Sequence, residues 1–341
     1  LDELALPPEV GTRSHRAAPA RQKLDFPLPD RARLPALSHY AHLERNGEVV
    51  AAGYVEASRG CKHLCRHCPI PPVYDGRFFV VPADVVLADC AAQIAAGAGH
   101  ITFGDPDFLN GPGHVLPIVR ELHRRHPAVT FDVTVKVEHL LQHLELLPEL
   151  RALGCAFVVS AVESLSDRVL ANLDKGHTRA DVSRALAALR AASLPLRPTF
   201  VAFTPWTTAA DYRDLLAFVE SEALIDHVDP VQYALRLLVP PGSPLATDGS
   251  LGAELGPLDA RAFSYRWTHP DPAMDRLQGR VAERVSAGSA KGEDPMAVFY
   301  AVKALAAEEL GAVMGPIGPV PSFPAARERT RPPRLTEDWF C

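Results

Sequence analysis

Short apolar runs alternate with longer segments of helical periodicity through the middle of the chain. The apolar runs predict six strands, over residues 52–57, 100–105, 130–137, 156–163, 196–205 and 231–239. The segments between them predict helices over residues 83–97, 113–125, 138–153, 166–174, 179–192 and 208–223. Asp84 in a first turn, and Thr178 and Thr208 directly before a helix, are helix-start signals. This alternation is typical of βα units on a parallel sheet.

The number of βα units favours a partial barrel. Six strands and five crossovers take up about 190 residues, whereas a full eightfold barrel needs around 250. We therefore expect an α/β fold with a partial, TIM-like (β/α)6 barrel, although a doubly wound open sheet stays possible because strand order is not visible in a sequence. We expect four regions: an N-terminal extension (1–51), the barrel (52–240), a helical extension (241–315) and a proline-rich, cysteine-bearing tail (316–341). Residues 270–312 of the helical extension predict two helices.

Composition and charge narrow the class of protein. The 341 residues are 47% hydrophobic, which suits a globular protein with a sizeable core, and the formal net charge of −6 gives no basic footprint for nucleic acid. No apolar run is long enough to predict a membrane span. The first residues lack the apolar core of a secretory signal, so we expect a cytoplasmic protein with reduced cysteines.

Three of the six cysteines lie close together in the segment "SRGCKHLCRHCPIP". Cys61, Cys65 and Cys68 have the spacing Cys-x3-Cys-x2-Cys, on the loop that leaves the carboxyl end of the first strand. Thiolates are the usual ligands of a [4Fe–4S] cluster, and three of them leave one iron open for a substrate or cofactor. The alternative is a zinc-stabilised binding protein, in which His63, His67 or a distant cysteine supplies the fourth ligand. Cys90 and Cys155 are predicted to be buried core thiols.

The cysteine motif, its place after the first strand and the partial barrel together resemble the radical SAM superfamily. The flanking "SRGC" and the proline after the third cysteine are similar to the subgroup that includes methylthiotransferases and cobalamin-dependent members, and the resemblance covers roughly residues 52–240. It implies that S-adenosylmethionine (SAM) binds the open iron through its amino and carboxylate groups. It also implies that an electron from the cluster, supplied by a donor such as flavodoxin or ferredoxin, breaks a carbon–sulfur bond of SAM.

Further positions match the superfamily's SAM-binding segments. The resemblance assigns His67 to the adenine, and assigns Gly104 and Asp105 of "FGDP" to the methionyl amino group, with a shorter carboxylate and one glycine fewer than the family's Gly-Gly-Glu. Lys136 matches a polar residue that reaches the methionyl carboxylate or the ribose. The remaining matches are Ser160, Glu163 and Lys175 around strand four, Arg197 on strand five and Tyr233 on strand six. Ordinary ion pairs at strand ends are the alternative for Lys136, Glu163 and Arg197.

The last residues, "PRLTEDWFC", end at Cys341. They resemble the start of the tail in CUAEP/CCAEP-tail radical SAM proteins, where a Cys-Cys or Cys-selenocysteine pair precedes Ala-Glu-Pro. That group includes an enzyme of arsinothricin biosynthesis. The resemblance implies transfer of the 3-amino-3-carboxypropyl group of SAM to arsenite, with methylthioadenosine as by-product and Cys341 delivering the arsenic. The alternative is an enzyme that forms a 5′-deoxyadenosyl radical to methylate or thiolate another substrate. Residues 1–51 are too few for a separate cobalamin-binding domain, so no cobalamin is expected.

Overall fold

The computed structural model describes residues 25–315, 320–325 and 328–336. Its strands are β1 (His42–Arg45), β2 (Glu48–Val55), β3 (Ser58–Gly60), β4 (Phe78–Val80), β5 (His100–Phe103), β6 (Thr130–Thr134), β7 (Cys155–Glu163), β8 (Leu196–Phe200), β9 (Leu255–Asp259), β10 (Ser264–Trp267) and β11 (Arg334–Leu335). Its helices are α1 (Ile70–Tyr74), α2 (Ala83–Ala95), α3 (Pro112–Arg125), α4 (Val137–Gln142), α5 (Leu147–Ala152), α6 (Asp167–Leu173), α7 (Arg179–Ala191), α8 (Ala209–Ser221), α9 (Pro244–Thr247), α10 (Pro272–Ala290) and α11 (Pro295–Leu310).

Seven strands form one sheet in the order β11-β1-β2-β5-β6-β7-β8. The five strands from β2 to β8 are parallel neighbours, whereas β1 pairs antiparallel with both β2 and β11. The parallel strands follow one another in chain order without a switch point, which excludes the doubly wound sheet. Leu43 of β1 shares a hydrophobic cluster with Phe157 of β7, although three strands lie between β1 and β7 in the sheet order, so the sheet curls. The predicted partial barrel is confirmed.

The two faces of the sheet differ in chemistry. Residues such as Ile101, Phe131 and Val158 form one core with the helices that follow each strand. On the opposite face, His100 Nε2 lies 2.8 Å from Asp132 Oδ1, and Thr102 Oγ1 donates to the same carboxylate at 2.7 Å. Alternate side chains of a strand point to opposite faces, so one face packs on the helices and the concave face is partly polar.

The predicted helix starts are confirmed at two positions. Thr178 and Thr208 are N-caps whose side chains accept from the backbone N–H of Asp181 and Asp211, and both aspartates bond back to form capping boxes. The predicted helix over 138–153 is instead two short helices, α4 and α5, because Pro148 at the start of α5 cannot continue a helix from the preceding turn.

The predicted sixth strand over 231–239 is wrong in its detail. Residues Pro230–Tyr233 form a 3-10 helix, and the only strand-like pairing within residues 231–239 is an isolated bridge between Phe203 and Arg236. The Gln232 side-chain oxygen accepts from the Phe200 backbone N–H at 3.0 Å, so a side chain takes the place of a neighbouring strand's carbonyl. The curled sheet therefore ends at β8, and the bridge between Phe203 and Arg236 follows it.

The segments outside the barrel pack onto it. Helices α10 and α11 are the two predicted appended helices; they pack against each other, and both contact the 3-10 helix at 230–233. Arg329 pairs with Asp226 and Asp294 at 2.8 and 2.9 Å, and β11 adds to the outer edge of β1. No helix among the described residues is long and apolar enough to cross a membrane.

Candidate functional site

The three clustered cysteines lie at the carboxyl end of β2, between β3 and α1. Gly60, the residue before Cys61, has a φ of +85°, and a Cβ there would lie 2.4 Å from the carbonyl oxygen of Arg77. Only glycine meets both conditions without strain. The β3–β4 hairpin therefore fixes where the cysteine loop begins.

The three thiols are free and suited to bind a metal cluster. Cys65 is buried, and Cys61 and Cys68 are partly buried. Burial raises the pKa of Cys61 and raises the pKa of Cys68 to about 12, so without a cation both are neutral thiols. The Ile70 backbone N–H faces Cys68 Sγ at 3.5 Å and can donate to the sulfur. Three sheltered sulfurs from one loop fit a [4Fe–4S] cluster with one open iron.

The cysteine loop is fastened at Arg66 to two other parts of the molecule. Its backbone N–H donates to the Leu173 carbonyl at 3.0 Å, at the end of α6. Its guanidinium forms an ion pair with Asp248, and its carbonyl accepts from the buried Ser243 hydroxyl at 2.7 Å. The segment that begins at 241 and the end of α6 therefore both hold the loop at Arg66. Nothing in the sequence predicts the contact between Arg66 and Ser243, because it joins residues 177 positions apart.

His67, Glu163 and Lys175, predicted from separate segments, meet at one point. Both His67 Nε2 and Lys175 Nζ lie 3.2 Å from Glu163 Oε1. Burial opposes the charge on Glu163, but Lys175 and His67 outweigh it and lower its pKa to about 2. Glu163 follows a register shift in β7 and has a φ of +64°. That conformation turns its side chain toward the cysteine loop.

Gly104 and Asp105 follow β5, beside the start of the cysteine loop. A Cβ on Gly104 would lie 2.0 Å from the Tyr54 hydroxyl, so the position needs glycine unless Tyr54 moves. Asp105 accepts from the Ala57 backbone N–H at 2.9 Å and from the Ser58 hydroxyl at 2.5 Å. Burial raises the pKa of Asp105 to about 6. Both carboxylate oxygens of Asp105 thus hold Ala57 and Ser58, which precede the cysteine loop. A contact between Asp105 and SAM stays a prediction.

The other predicted residues are more widely spread. Lys136 lies close to the loop, and its ammonium donates to His63 Nδ1 at 2.9 Å. Ser160 shares a strand face with Val158 and Val162, which pack toward the helices. Arg197 lies near the amino end of β8 and pairs with Asp229 at 2.8 Å. Tyr233 packs on Phe299 with ring centroids 5.5 Å apart. The structure does not bring these last three to the cysteine loop.

Two groups near the site were not predicted. The Asn110 side-chain oxygen accepts from the Lys62 backbone N–H at 3.3 Å, which braces the loop beside Cys61. His177 Nε2 lies 3.2 Å from the Val162 carbonyl, and burial, with the charge of Lys175 nearby, lowers the pKa of His177 to about 4.

Cys341 lies outside the described residues. Cys90 and Cys155 are buried and free, as predicted.

Comparison with known proteins gives sequence relatives that are longer than this chain. It is 26% identical over 205 residues to the ribosomal protein uS12 methylthiotransferase RimO of Geobacter sulfurreducens, covering 55% of this chain and 44% of that protein. It is 25% identical over 240 residues to a tRNA-2-methylthio-N(6)-dimethylallyladenosine synthase of Erythrobacter litoralis, covering 63% and 49%. The chain thus spans less than half the length of these curated relatives.

Solved structures with a similar fold include two cobalamin-dependent or cobalamin-bound enzymes. The cobalamin-dependent SAM radical enzyme OxsB, with aqua-cobalamin and SAM bound, gives a TM-score of 0.59 at 15% identity over 74% of this chain and 47% of that one. The radical SAM methyltransferase TsrM from Kitasatospora setae, with cobalamin and a [4Fe–4S] cluster bound, gives 0.55 at 14% identity over 77% and 61%. At these identities the likeness concerns the fold.

A family match covers the part of the chain that holds the cysteine loop. Residues 55–219 match the family described as the radical SAM superfamily. This range includes Cys61, Cys65 and Cys68, together with the His67, Glu163 and Lys175 group beside them. Residues 55–219 therefore carry a radical SAM domain, and the family that this domain matches uses a [4Fe–4S] cluster and S-adenosylmethionine as cofactors.

Proposed function

We propose that this radical SAM enzyme transfers the 3-amino-3-carboxypropyl group of SAM to trivalent arsenic. After uptake of one electron, the bond between the sulfur and the transferred chain breaks, methylthioadenosine leaves, and the carbon radical forms a bond to the arsenic. The arsenic adduct would return one electron to the oxidised cluster, so that arsenic ends as As(V) and no net electron is consumed. The resemblance of the "DWFC" end to the CUAEP/CCAEP tails underlies this choice of substrate. Trivalent arsenic is a soft centre and soft thiolates are its matching ligands, which suits a role for Cys341 in arsenite delivery.

The observation that carries the proposal is the direction of β11. Because β1 is antiparallel to both β2 and β11, β11 runs the same way as β2, whose carboxyl end leads into the cysteine loop. Thr336 bonds to the His42 carbonyl, and His42 pairs with Ala51, four residues before the end of β2. At about 3.3 Å per residue, five residues of chain after Thr336 can reach at most about 17 Å, and the rest of β2 takes about 13 Å. The tail is thus long enough to reach the mouth of the barrel.

The chain's own residues hold the reactants. Cys61, Cys65 and Cys68 hold the cluster, which when reduced supplies the electron that opens a carbon–sulfur bond of SAM. His67 Nδ1 is buried and has no partner among the described residues, so it is free to hydrogen-bond the adenine. Glu163 keeps His67 and the buried Lys175 in place. Lys136, only 8% exposed and 2.9 Å from His63 of the loop, is the cation that we assign to the methionyl carboxylate.

A second candidate function follows from the sequence relatives. The methylthiotransferases of Geobacter sulfurreducens and Erythrobacter litoralis share about half of this chain. Their likeness favours an enzyme that forms a 5′-deoxyadenosyl radical and methylates or thiolates a substrate. The two candidates differ in the bond of SAM that breaks, so the nucleoside product separates them.

The experiment is anaerobic reconstitution with iron and sulfide, followed by reduction in the presence of SAM with and without arsenite. We expect methylthioadenosine, and with arsenite a new arsenic-containing amino acid, both identified by mass. Deoxyadenosine as the nucleoside product would overturn the aminocarboxypropyl transfer and favour the second candidate. A colourless zinc protein that cleaves no SAM would overturn both.

Two variants test the cysteines separately. Cys65→Ala should lose the cluster absorbance and all SAM cleavage, because two thiolates do not hold the cube; full turnover would contradict the cluster assignment. Cys341→Ser should keep the cluster and raise the KM for arsenite about tenfold, a loss of about 1.4 kcal/mol. Cys90→Ser is the control, since Cys90 lies on the buried face of α2 and not in the cysteine loop. An unchanged KM in Cys341→Ser would exclude delivery by the tail.

A further inference from the structure

A group of side chains beside the cysteine loop has the composition of a metal site. One ligand atom from each of His63, Asp107 and His139 lies within 4.8 Å of the other two. His63 stands between Cys61 and Cys65 in the loop, Asp107 follows β5, and His139 lies in the first turn of α4. The carboxyl ends of neighbouring parallel strands meet at one edge, which is why three distant segments converge there.

The three atoms are sheltered and lack hydrogen bonds. Asp107 is 1% exposed and His139 is 7% exposed. His63 Nε2, Asp107 Oδ2 and His139 Nδ1 have no hydrogen-bond partner among the described residues. Asp107 Oδ2 lies 2.6 Å from His139 Nδ1 and 3.7 Å from His63 Nε2, but neither pair is aligned as a hydrogen bond. Leaving such buried polar atoms unsatisfied costs about 1–3 kcal/mol each.

We propose that His63, Asp107 and His139 bind one divalent transition-metal ion, separate from the iron–sulfur cluster. Two imidazoles and one carboxylate are ligands that suit zinc, ferrous iron and similar ions. Metal–ligand bonds of about 2.0–2.2 Å bring ligand atoms about 3–4 Å apart. Small rotations of the two imidazole rings, whose centroids are 4.8 Å apart, reach that spacing. Three protein ligands leave at least one position on the ion for water or a substrate oxygen.

The surroundings of His63 supply the partner that a metal-bound histidine needs. Its other ring nitrogen, Nδ1, lies 3.6 Å from Glu138 Oε2 and 2.9 Å from Lys136 Nζ. When Nε2 binds a metal, the ring proton of His63 lies on Nδ1. Nδ1 can then donate to the Glu138 carboxylate and no longer accepts from Lys136. Lys136 keeps its own contact with Glu138 at 3.1 Å. A carboxylate that orients a ligating histidine in this way strengthens metal affinity.

The test is zinc binding by the reconstituted protein, whose cysteines are occupied by the cluster. After exposure to zinc and desalting, we expect about one zinc ion per chain with the iron content unchanged, measured by plasma mass spectrometry. Zinc-edge X-ray absorption should show nitrogen and oxygen ligands at about 2.0–2.2 Å and no sulfur at about 2.3 Å. The assay contains neither SAM nor arsenite, so its result is independent of the proposed group transfer.

Variants identify the ligands. Asp107→Asn and His139→Phe should each lower zinc retention at least about tenfold, and Glu138→Gln should weaken affinity about 10- to 100-fold, with iron content kept in all three. His143→Phe is the matched control, since His143 lies one turn further along, partly exposed, and should not change zinc binding. Equal retention in wild type and both ligand variants, no retained zinc in the wild type, or sulfur around the zinc would overturn the proposal. His139→Phe decides if Asp107→Asn fails to fold.

Discussion

Single residues near the site combine burial with charge, and His177 shows the consequence most directly. Its side chain is buried, and its pKa is lowered from the ordinary value to about 4, because burial and the nearby Lys175 both disfavour the imidazolium. In the unfolded chain His177 takes up a proton near pH 6.5. Between pH 6.5 and 4 the unfolded state therefore binds more protons, and stability falls as the pH falls.

His177→Gln should flatten this dependence while keeping a donor for the Val162 carbonyl. Between pH 7 and pH 5 the free energy of unfolding of the wild type should fall by about 2 kcal/mol more than that of the variant. Urea unfolding at a series of pH values measures the difference. His143→Gln, at a partly exposed position, is the control and should leave the slope unchanged. Parallel curves for wild type and His177→Gln would mean that His177 is protonated in the folded state.

At the residue scale the sequence indicated which residues gather near the loop but not how they contact one another. The motif of Cys61, Cys65 and Cys68 is visible because it is local to one loop, and its role as the cluster ligand set stays a prediction. His67, Glu163 and Lys175 were each assigned to SAM, but their mutual contact was not foreseen, since it depends on a register shift and a left-handed backbone at Glu163. Asp105 was assigned to the amino group of SAM, and its bonds to Ala57 and Ser58 depend on a pairing between strands.

At the scale of elements, the cysteine loop depends on the segment that follows the barrel. The Ser243 hydroxyl is fully buried, donates to the Arg66 carbonyl and accepts from the Leu245 backbone N–H at 3.3 Å. This one side chain therefore joins the loop to the start of α9. Arg66 also donates to the Leu173 carbonyl at the end of α6, so it has little freedom once the bond from Ser243 forms.

Ser243→Ala should loosen the loop. The Arg66 carbonyl loses its donor and stability should fall by about 1–2 kcal/mol. Iron should also leave the reconstituted cluster several-fold faster in the presence of a chelator, which the decay of the cluster absorbance measures. Ser286→Ala, on the exposed face of α10, is the control. Equal iron release from Ser243→Ala and wild type would show that the loop is rigid without this contact.

The sequence predicted elements wherever hydrophobic periodicity and capping were local. All five parallel strands and the helices after them were identified, although β6 and β8 end earlier than expected. The sixth strand was wrong because the apolar run at 231–239 fits a buried 3-10 turn and coil as well as a strand. β11 was missed because two residues carry no periodicity, and its pairing with β1 joins positions about 290 apart along the chain.

At the scale of the whole molecule, Arg329 joins the last described segment to the body of the protein. It contacts Asp226, just before the sixth-strand region, and Asp294, the N-cap of α11. Its guanidinium is 11% exposed and also lies 5.8 Å from the centre of the Phe323 ring. Both carboxylates pair with Arg329, and Asp226 also lies 3.6 Å from Arg331, so these contacts order the chain that leads into β11.

Arg329→Met should release that segment. Two partly buried carboxylates lose a shared partner, so stability should fall by about 2 kcal/mol. Hydrogen exchange at the β1 and β11 amides should become faster, because β11 is then held by fewer contacts. Arg276→Met, which breaks an exposed pair with Glu309 between α10 and α11, is the control and should leave exchange at β1 unchanged. Unchanged exchange in Arg329→Met would show that β11 pairs without help from this contact.

The pairing of β11 with β1 also has a consequence for the newly made chain. Leu43 pairs with Leu335, so the outer edge of β1 stays unpaired during synthesis of the almost 300 residues between them. At about 5–20 residues per second, that interval lasts about 15–60 s. An open strand edge invites pairing with other chains, and charged side chains reduce the risk. The charged side chains of Glu44 and Arg45, at the carboxyl end of β1, should therefore reduce aggregation of the nascent chain before β11 has been synthesised.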